Sequence, residues 1–208
     1  MALYRRGLLM LACAAPAVWA ADDFWNRKPP EKWDAGEIYR LTNRSPWATL
    51  AEWLGPAPAP DETIGLPSPP MRSDGTLKLD RPRPTVRTVI TWESARPLHD
   101  ALHLPSAPVY ETHYVIGVDG LPPVDYSNYD LRESATLSCA SPNKWKARAA
   151  AAHERVGTSA VHQFAFPRAG APIGRATREV VFAIELGNWS LESKFKPREM
   201  LYRGALSL

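Results

Sequence analysis

The chain has 208 residues, of which 45% are apolar, 10% aromatic and 23% charged, and its formal net charge is +3. This composition is that of a globular protein large enough for one sizeable core, and it excludes a chain that is disordered throughout. The near balance of basic and acidic residues gives no indication of a nucleic-acid partner. Beyond the leader no run of eighteen uncharged apolar residues occurs, so the sequence predicts no transmembrane helix in the body of the chain.

The first twenty residues have the features of a signal peptide. Arg5 and Arg6 form a basic segment, residues 7–17 are apolar, and small residues precede the junction after Ala20. We therefore predict cleavage near Ala20 and an exported protein, either periplasmic or secreted. Two other interpretations of the leader stay open. One is lipid attachment at Cys13, which the short apolar segment disfavours, and the other is export by the twin-arginine route.

Composition divides the rest of the chain into three parts. Residues 21–54 are rich in tryptophan and in helix signals, residues 55–84 contain eight prolines, and residues 85–208 hold most of the predicted strands. The proline-rich part cannot form a regular helix or a central strand, so we expect an extended connector. The sequence leaves open whether this connector separates two bodies or runs over one.

Two helices are predicted in the N-terminal arm, residues 21–54. The first follows Asp34, which is a favourable N-cap, and it carries an apolar stripe that includes Ile38 and Leu41. The second is predicted from residue 45 to residue 55, because a serine followed by proline is a typical helix start and a glycine a typical end.

Four tryptophans lie in this arm. At helical spacing, tryptophans usually face a core, so we expect these rings to dock the arm on the body of the protein. The alternative is an exposed aromatic face that binds a glycan or a partner. The four residues concerned are Trp25, Trp33, Trp47 and Trp53.

From residue 85 onward the pattern is mostly that of short strands. Residues 85–92 are rich in β-branched residues and alternate in polarity, as in a half-buried strand. Helices are predicted for residues 93–104 and for the alanine-rich segment 144–156, whose intrinsic helix propensity is high. Together these patterns predict an α+β fold with a mainly antiparallel β-sheet of about six to seven strands and a short helical N-terminal arm. The further predicted strands are 109–118, 134–139, 160–167, 179–186, 189–196 and 201–206.

Segments near both ends of the chain carry a family resemblance. In the N-terminal half they are 25–30 (Trp-Asn-Arg-Lys-Pro-Pro), Trp33, Glu37, Leu41, 45–48 (Ser-Pro-Trp-Ala) and 91–95 (Thr-Trp-Glu-Ser-Ala). In the C-terminal half they are 179–182, Leu186-Gly187, 194–196, Met200, Tyr202 and Gly204. In these residues the chain resembles a family of uncharacterised secreted bacterial proteins. The resemblance implies export and a shared fold, and it implies no activity, cofactor or catalytic residue.

One segment carries a pattern with chemical meaning. His99 and His103 are four residues apart on a predicted helix, so both imidazoles can face one metal ion, as in the two-histidine zinc motif of metalloproteases. Asp100 stands where such a protease has glutamate. A third ligand is also required, and Glu93 and His113 are the nearest in sequence. The other interpretation is that the two histidines share an exposed helical face and bind nothing.

Two hypotheses follow from these patterns. The first is a non-catalytic binding or interaction module of the cell envelope or secretome, whose partner is an envelope protein or a surface polymer. It requires no catalytic residue and no cofactor. The second is a metal-dependent hydrolase that uses His99 and His103. We prefer the first, because a five-residue metal pattern often occurs by chance.

Overall fold

The computed structural model describes residues 23–56, 83–105, 107–140, 144–156 and 160–208. Within these ranges the chain forms five short α-helices and eleven strands, of which nine belong to one antiparallel sheet. The predicted signal peptide, with Cys13 and Ala20, lies outside the described residues, as do residues 57–82 of the proline-rich part. None of the helices in the described ranges has the length and apolar character that a membrane crossing requires.

The elements alternate along the chain, with the helices concentrated in its first two thirds. The helices are α1 (Phe24–Arg27), α2 (Ala35–Asn43), α3 (Arg96–Leu102), α4 (Val109–Thr112) and α5 (Leu131–Ser134). The strands of the large sheet are β1 (Ala48–Leu54), β2 (Thr85–Trp92), β3 (His113–Asp119), β4 (Ala135–Cys139), β5 (Trp145–Arg148), β6 (Ala151–Val156), β7 (Ala160–Pro167), β8 (Val180–Leu186) and β9 (Trp189–Phe195). A separate hairpin is made of β10 (Leu201–Tyr202) and β11 (Ala205–Leu206), and single 3-10 turns lie at Pro30–Lys32 and Pro197–Glu199.

The large sheet curls until its two edges meet. Its strand order is β5-β4-β8-β9-β1-β2-β3-β7-β6, and neighbouring strands are antiparallel. The edge strands β5 and β6 are consecutive in sequence, separated by Ala149 and Ala150. The Ala149 amide donates to the Ala135 carbonyl of β4 at 3.2 Å, and the Ala150 amide donates to the Ala165 carbonyl of β7 at 2.8 Å. Residues 145–156 are therefore one bent strand that joins the two edges of the sheet.

The core fills the inside of this curled sheet. Phe182 of β8 meets Phe164 and Phe166 of β7, with ring centroids 5.8 and 6.1 Å apart, although β7 and β8 are not neighbours in the sheet. Trp92 of β2 makes an edge contact with Phe195 of β9 at 5.1 Å. All five side chains are buried, and aromatic pairs in such geometries add stability beyond their burial. The sheet is thus held closed by aromatic contacts across its interior.

The prediction of a helix after Asp34 is confirmed by α2. The Asp34 carboxylate accepts from the Glu37 amide at 2.8 Å, and the Glu37 side chain accepts from the Asp34 amide at 3.1 Å, which is a complete capping box. Lys28 donates to the same glutamate at 2.5 Å. That hydrogen bond lowers the pKa of Glu37 from its usual value, against the opposing effect of burial. The capping box and the ion pair together fix the start of α2.

Two predicted helices are strands in the structure. The prediction for residues 45–55 is wrong, because β1 occupies 48–54 and pairs along its whole length with β2. The residues of β1 alternate as in a strand, with Trp53 buried and with Leu50 and Leu54 exposed. The prediction for residues 144–156 is also wrong, because β5 and β6 use their backbone groups to close the sheet. Strand pairing overrides the local helix propensity in both segments, with the distant β2 in the first and with the neighbouring β4 and β7 in the second.

The remaining elements agree more closely with the sequence. The strand predicted at 85–92 is β2, the helix predicted at 93–104 is the shorter α3, and the segment 109–118 begins as α4 before it becomes β3. The fold is mainly antiparallel sheet with few helices, as predicted, but the described residues place nine strands in the sheet rather than six or seven. Because β1 pairs with β2, the two flanks of the proline-rich segment lie in one sheet.

Candidate functional site

A polar groove follows the exposed face of α3. One part, about 420 Å³ in volume, lies between α3, the Pro30–Lys32 turn and the turn that joins β10 to β11. The second part, about 340 Å³, lies between α3 and α4. We refer to both parts together as the α3 groove. The residues that line both parts are Arg96, His99, Asp100 and Leu104.

The turn that leads from β2 into α3 is anchored on the sheet. Glu93 is 4% exposed, and its carboxylate accepts a hydrogen bond from the Gln163 amide of β7. Gly117 of β3 makes room for it, since a β-carbon at that position would lie 2.5 Å from Glu93 Oε1. The Ser94 hydroxyl oxygen accepts from the Val115 amide at 3.1 Å. These contacts fix the start of α3 against β3 and β7, so the groove is built on a rigid support.

A tyrosine and an aspartate form a hydrogen-bonded pair at the groove. The Tyr202 hydroxyl donates to Asp100 Oδ2 at 2.7 Å. Burial raises the pKa of Tyr202, and the hydrogen bond to Asp100 and its charge act in the same direction, whereas Arg203 and Arg96 act against them. The Arg203 guanidinium lies 5.1 Å from the centre of the Tyr202 ring. The pair is therefore within electrostatic reach of two cations that line the groove.

The structure places both predicted metal ligands on the groove but in different backbone conformations. His99 lies in α3, and its Nε2 is 2.7 Å from the Glu93 carbonyl. A carbonyl only accepts, so Nε2 carries the hydrogen and donates it. The ring also makes an edge contact with Tyr110 at 4.4 Å. The helix ends at Leu102, and His103 adopts the left-handed conformation with φ 50° and ψ 38°.

No third ligand that completes a zinc site with these histidines is found in the part of the chain that the structure describes. Glu93 directs its carboxylate to Gln163, and His113 pairs its Nδ1 with the Thr112 hydroxyl at 2.8 Å. Across the described residues, no group of three or more histidine, cysteine, aspartate or glutamate side chains has the arrangement to hold a metal ion. Metal binding by His99 and His103 therefore stays a prediction.

The four tryptophans of the N-terminal arm are buried. Trp25 and Trp33 are 7% exposed, and Trp47 and Trp53 are fully covered. Trp47 donates its indole N–H to the Ser207 carbonyl at 2.7 Å and makes an edge contact with Trp25 at 5.5 Å. The alternative of an exposed aromatic binding face does not fit this burial, because these rings dock the arm on the rest of the protein.

One buried histidine lies away from the groove. His162 of β7 is 4% exposed, and the ring of Tyr126 makes an edge contact with it at 5.7 Å. In the sheet register it stands opposite Glu154 of β6. Burial lowers the pKa of His162, and the charge of Glu154 opposes this shift. The folded protein therefore favours the neutral form of this imidazole.

Sequence reasoning missed the two arginines of the groove. Arg96 and Arg203 are far apart in sequence and meet only because the β10–β11 turn packs beside α3. The Arg203-Gly204 pair between two short strands is a turn signal that could have drawn attention to one of them.

No family model matches the chain, and none of the curated proteins or solved structures matches it either.

Proposed function

We propose that the protein is a non-catalytic binding module of the cell envelope or secretome, and that the α3 groove is its ligand site. The observation that carries this proposal is the lining of the groove. Hydrogen-bond donors and acceptors from α3, from the Pro30–Lys32 turn and from the β10–β11 turn converge on one concave surface. Ligand sites are typically concave and present a few convergent polar groups.

The groups that face the groove are held in place before any ligand arrives. Asp100 is fixed by the Tyr202 hydroxyl, and His99 is fixed by the Glu93 carbonyl and by the edge of Tyr110. A preorganised site loses less conformational entropy when it binds, which increases affinity for a given set of contacts. The contacts that hold the start of α3 against β3 and β7 also keep the groove in one conformation, so they reduce the entropy lost on binding.

The open shape of the groove suits one residue or a short segment of a surface polymer. Both parts of the groove lie at the protein surface, and Arg96 and Arg203 on its walls are exposed. A polymer passing through such a groove presents one repeat unit at a time to the same side chains. The alternative partner is an envelope protein that inserts a short polar segment into the groove.

The proposal is tested by following backbone amide signals of the purified, isotope-labelled protein by NMR. The probes are a neutral oligosaccharide, an oligogalacturonate, a glycerol-phosphate oligomer and an acidic peptide. We expect at least one probe to shift the amides of residues 94–104 and 202–204. Shifts confined to other surfaces, or no shifts with any probe, would contradict the proposal. Arg96→Ala should weaken the response, whereas Arg87→Ala, which removes an exposed ion pair with Glu52 on β1, should not.

The alternative function is a metal-dependent hydrolase that uses His99 and His103. Both side chains line the groove, so elemental analysis separates the two proposals. The protein is purified without a histidine tag or chelator, beside a His99→Ala/His103→Ala variant. Stoichiometric metal that is lost in a folded variant would favour the hydrolase. A metal-free protein whose groove amides respond to a probe would favour the binding module.

A further inference from the structure

Two residues at the rim of the α3 groove have a backbone conformation that non-glycine residues rarely adopt. His103 and Arg203 both have φ 50°, and within the described ranges they are the only non-glycine residues with positive φ. In this conformation the β-carbon crowds the backbone, so glycine or asparagine is favoured. Both residues line the same part of the groove. Backbone strain of this kind tends to occur where a side chain serves function.

Arg203 is the first of the two central residues of a tight hairpin turn. The turn joins β10 to β11, with Tyr202 paired to Ala205, and its two central residues are Arg203 (φ 50°) and Gly204 (φ 79°). Positive φ at both central positions defines a type I′ turn, in which asparagine is preferred at the first position. An arginine there is unfavourable for the turn, while its side chain lies on the wall of the groove.

His103 occupies the position after the last residue of α3. The amides of His103 and Leu104 both donate to the His99 carbonyl, the second at 3.1 Å. Glycine is the usual residue at this position and asparagine the next. A second strained position therefore lies on the same groove.

The charges of the groove indicate the chemistry of its ligand. Arg96 and Arg203 are exposed, and neither forms an ion pair with any residue that the structure describes. Guanidinium groups bind carboxylates through paired hydrogen bonds. The same lining contains the carboxylates of Glu31 and Asp100, which repel a bare anion but accept hydrogen bonds from hydroxyl groups. A ligand with a carboxylate and several hydroxyls can bind the two guanidinium groups and the two carboxylates at once.

Building on the proposed function, we infer that the α3 groove binds an acidic saccharide of the uronic-acid type. Its carboxylate pairs with Arg203 and Arg96, and its hydroxyls donate to Glu31 and Asp100. Arg203 is strained because the groove needs its side chain at this position, so stability is lost in favour of binding.

The test uses one substitution that relieves strain and removes a binding group, Arg203→Asn, and one that relieves strain alone, His103→Asn. Arg203→Asn and His103→Asn should each raise the melting temperature by about 2–4 °C, since asparagine tolerates positive φ. Arg203→Asn should weaken oligogalacturonate binding about 10-fold or more in calorimetry, as expected for the loss of a charge-assisted hydrogen bond. Arg87→Asn, on the exposed face of β2, is the matched control and should change affinity by less than about 2-fold.

Each outcome decides one part of the inference. Undiminished oligogalacturonate binding by Arg203→Asn would overturn the role of Arg203, and an unchanged melting temperature would overturn the strain argument. Equal affinity for a neutral oligosaccharide, or for inorganic phosphate, would overturn the acidic saccharide as the ligand. If oligogalacturonate fails but another probe shifts the groove amides, the inference is wrong and the proposed function stands. If no probe shifts them, both are wrong.

Discussion

The contact between Phe164 and Phe182 tests whether the sheet is closed round its core. The rings lie 5.8 Å apart at an angle of 50°, on strands that are not neighbours in the sheet. Replacement of either phenylalanine by leucine keeps an apolar side chain and should cost about 1–2 kcal/mol. The aromatic pair itself should appear as a coupling free energy of about 0.5–1.5 kcal/mol in a double-mutant cycle. Urea unfolding of the wild type, both single variants and the double variant measures this coupling.

The matched control pairs Phe182→Leu with Phe24→Leu. The ring of Phe24 packs against Trp25 and Trp33 in the N-terminal arm, with centroids 5.1 and 5.5 Å apart. The ring partners of Phe182 are Phe164 and Phe166, so the two residues share no ring contact. The two substitutions should therefore be additive to within about 0.3–0.5 kcal/mol. A coupling between Phe164 and Phe182 no larger than this control would refute the closed sheet, because the rings would then not meet across its interior.

Two further predictions concern buried polar contacts. Because burial lowers the pKa of His162, the unfolded chain takes up its proton first, so stability should fall as pH decreases through about 6.5 and should be fully present above it. The urea midpoint of His162→Gln should show a weaker fall between pH 7.5 and 5.5 than the wild type, and identical profiles would contradict the assignment. Gly117→Ala should destabilise the protein by about 1–3 kcal/mol, because the new β-carbon meets Glu93 at 2.5 Å. Gly174→Ala, whose β-carbon meets nothing within 4 Å, should be close to neutral in the same urea assay, and equal losses at both glycines would contradict the close approach.

The elements that the sequence predicted correctly are those with local determinants. The N-cap residue Asp34 lies within four residues of its partner Glu37, so the start of α2 can be recognised without the fold. Ser45 shows how a local signal can mislead. Its hydroxyl accepts from the Trp47 amide at 3.2 Å, much as an N-cap would, but the chain makes a bridge between Ser45 and Ala48 and continues as β1. A serine turn and a helix start use the same first contacts. Here the pairing of β1 with β2 makes the segment a strand and not a helix.

The closing strand was beyond sequence reasoning for a different reason. Residues 145–156 have strong helix formers, yet one half pairs with β4 and the other half with β7. Both partners are the neighbouring strands along the chain, β4 before the segment and β7 after it. The structure places β4 and β7 near opposite edges of one sheet, and no local pattern reports that placement. The missing strands in the predicted count come mainly from this segment and from β1.

The candidate site was predicted only where its residues are close in sequence. The spacing of His99 and His103 selected the segment that the structure places on the groove. Arg203 reaches the same groove from the C-terminal hairpin. The hydrogen bond from the buried Tyr202 to Asp100 likewise joins residues far apart in the chain. Such convergence depends on the closed sheet, so spacing alone could not reveal it.

The most direct test of the central claim, that the α3 groove is the ligand site, is a crystal structure of the protein with an oligogalacturonate. Our account predicts the saccharide along α3, with one carboxylate about 2.7–2.9 Å from the guanidinium nitrogens of Arg203 and with hydroxyls directed at Asp100. A saccharide bound on another surface, or one in the groove whose carboxylates face solvent, would contradict it.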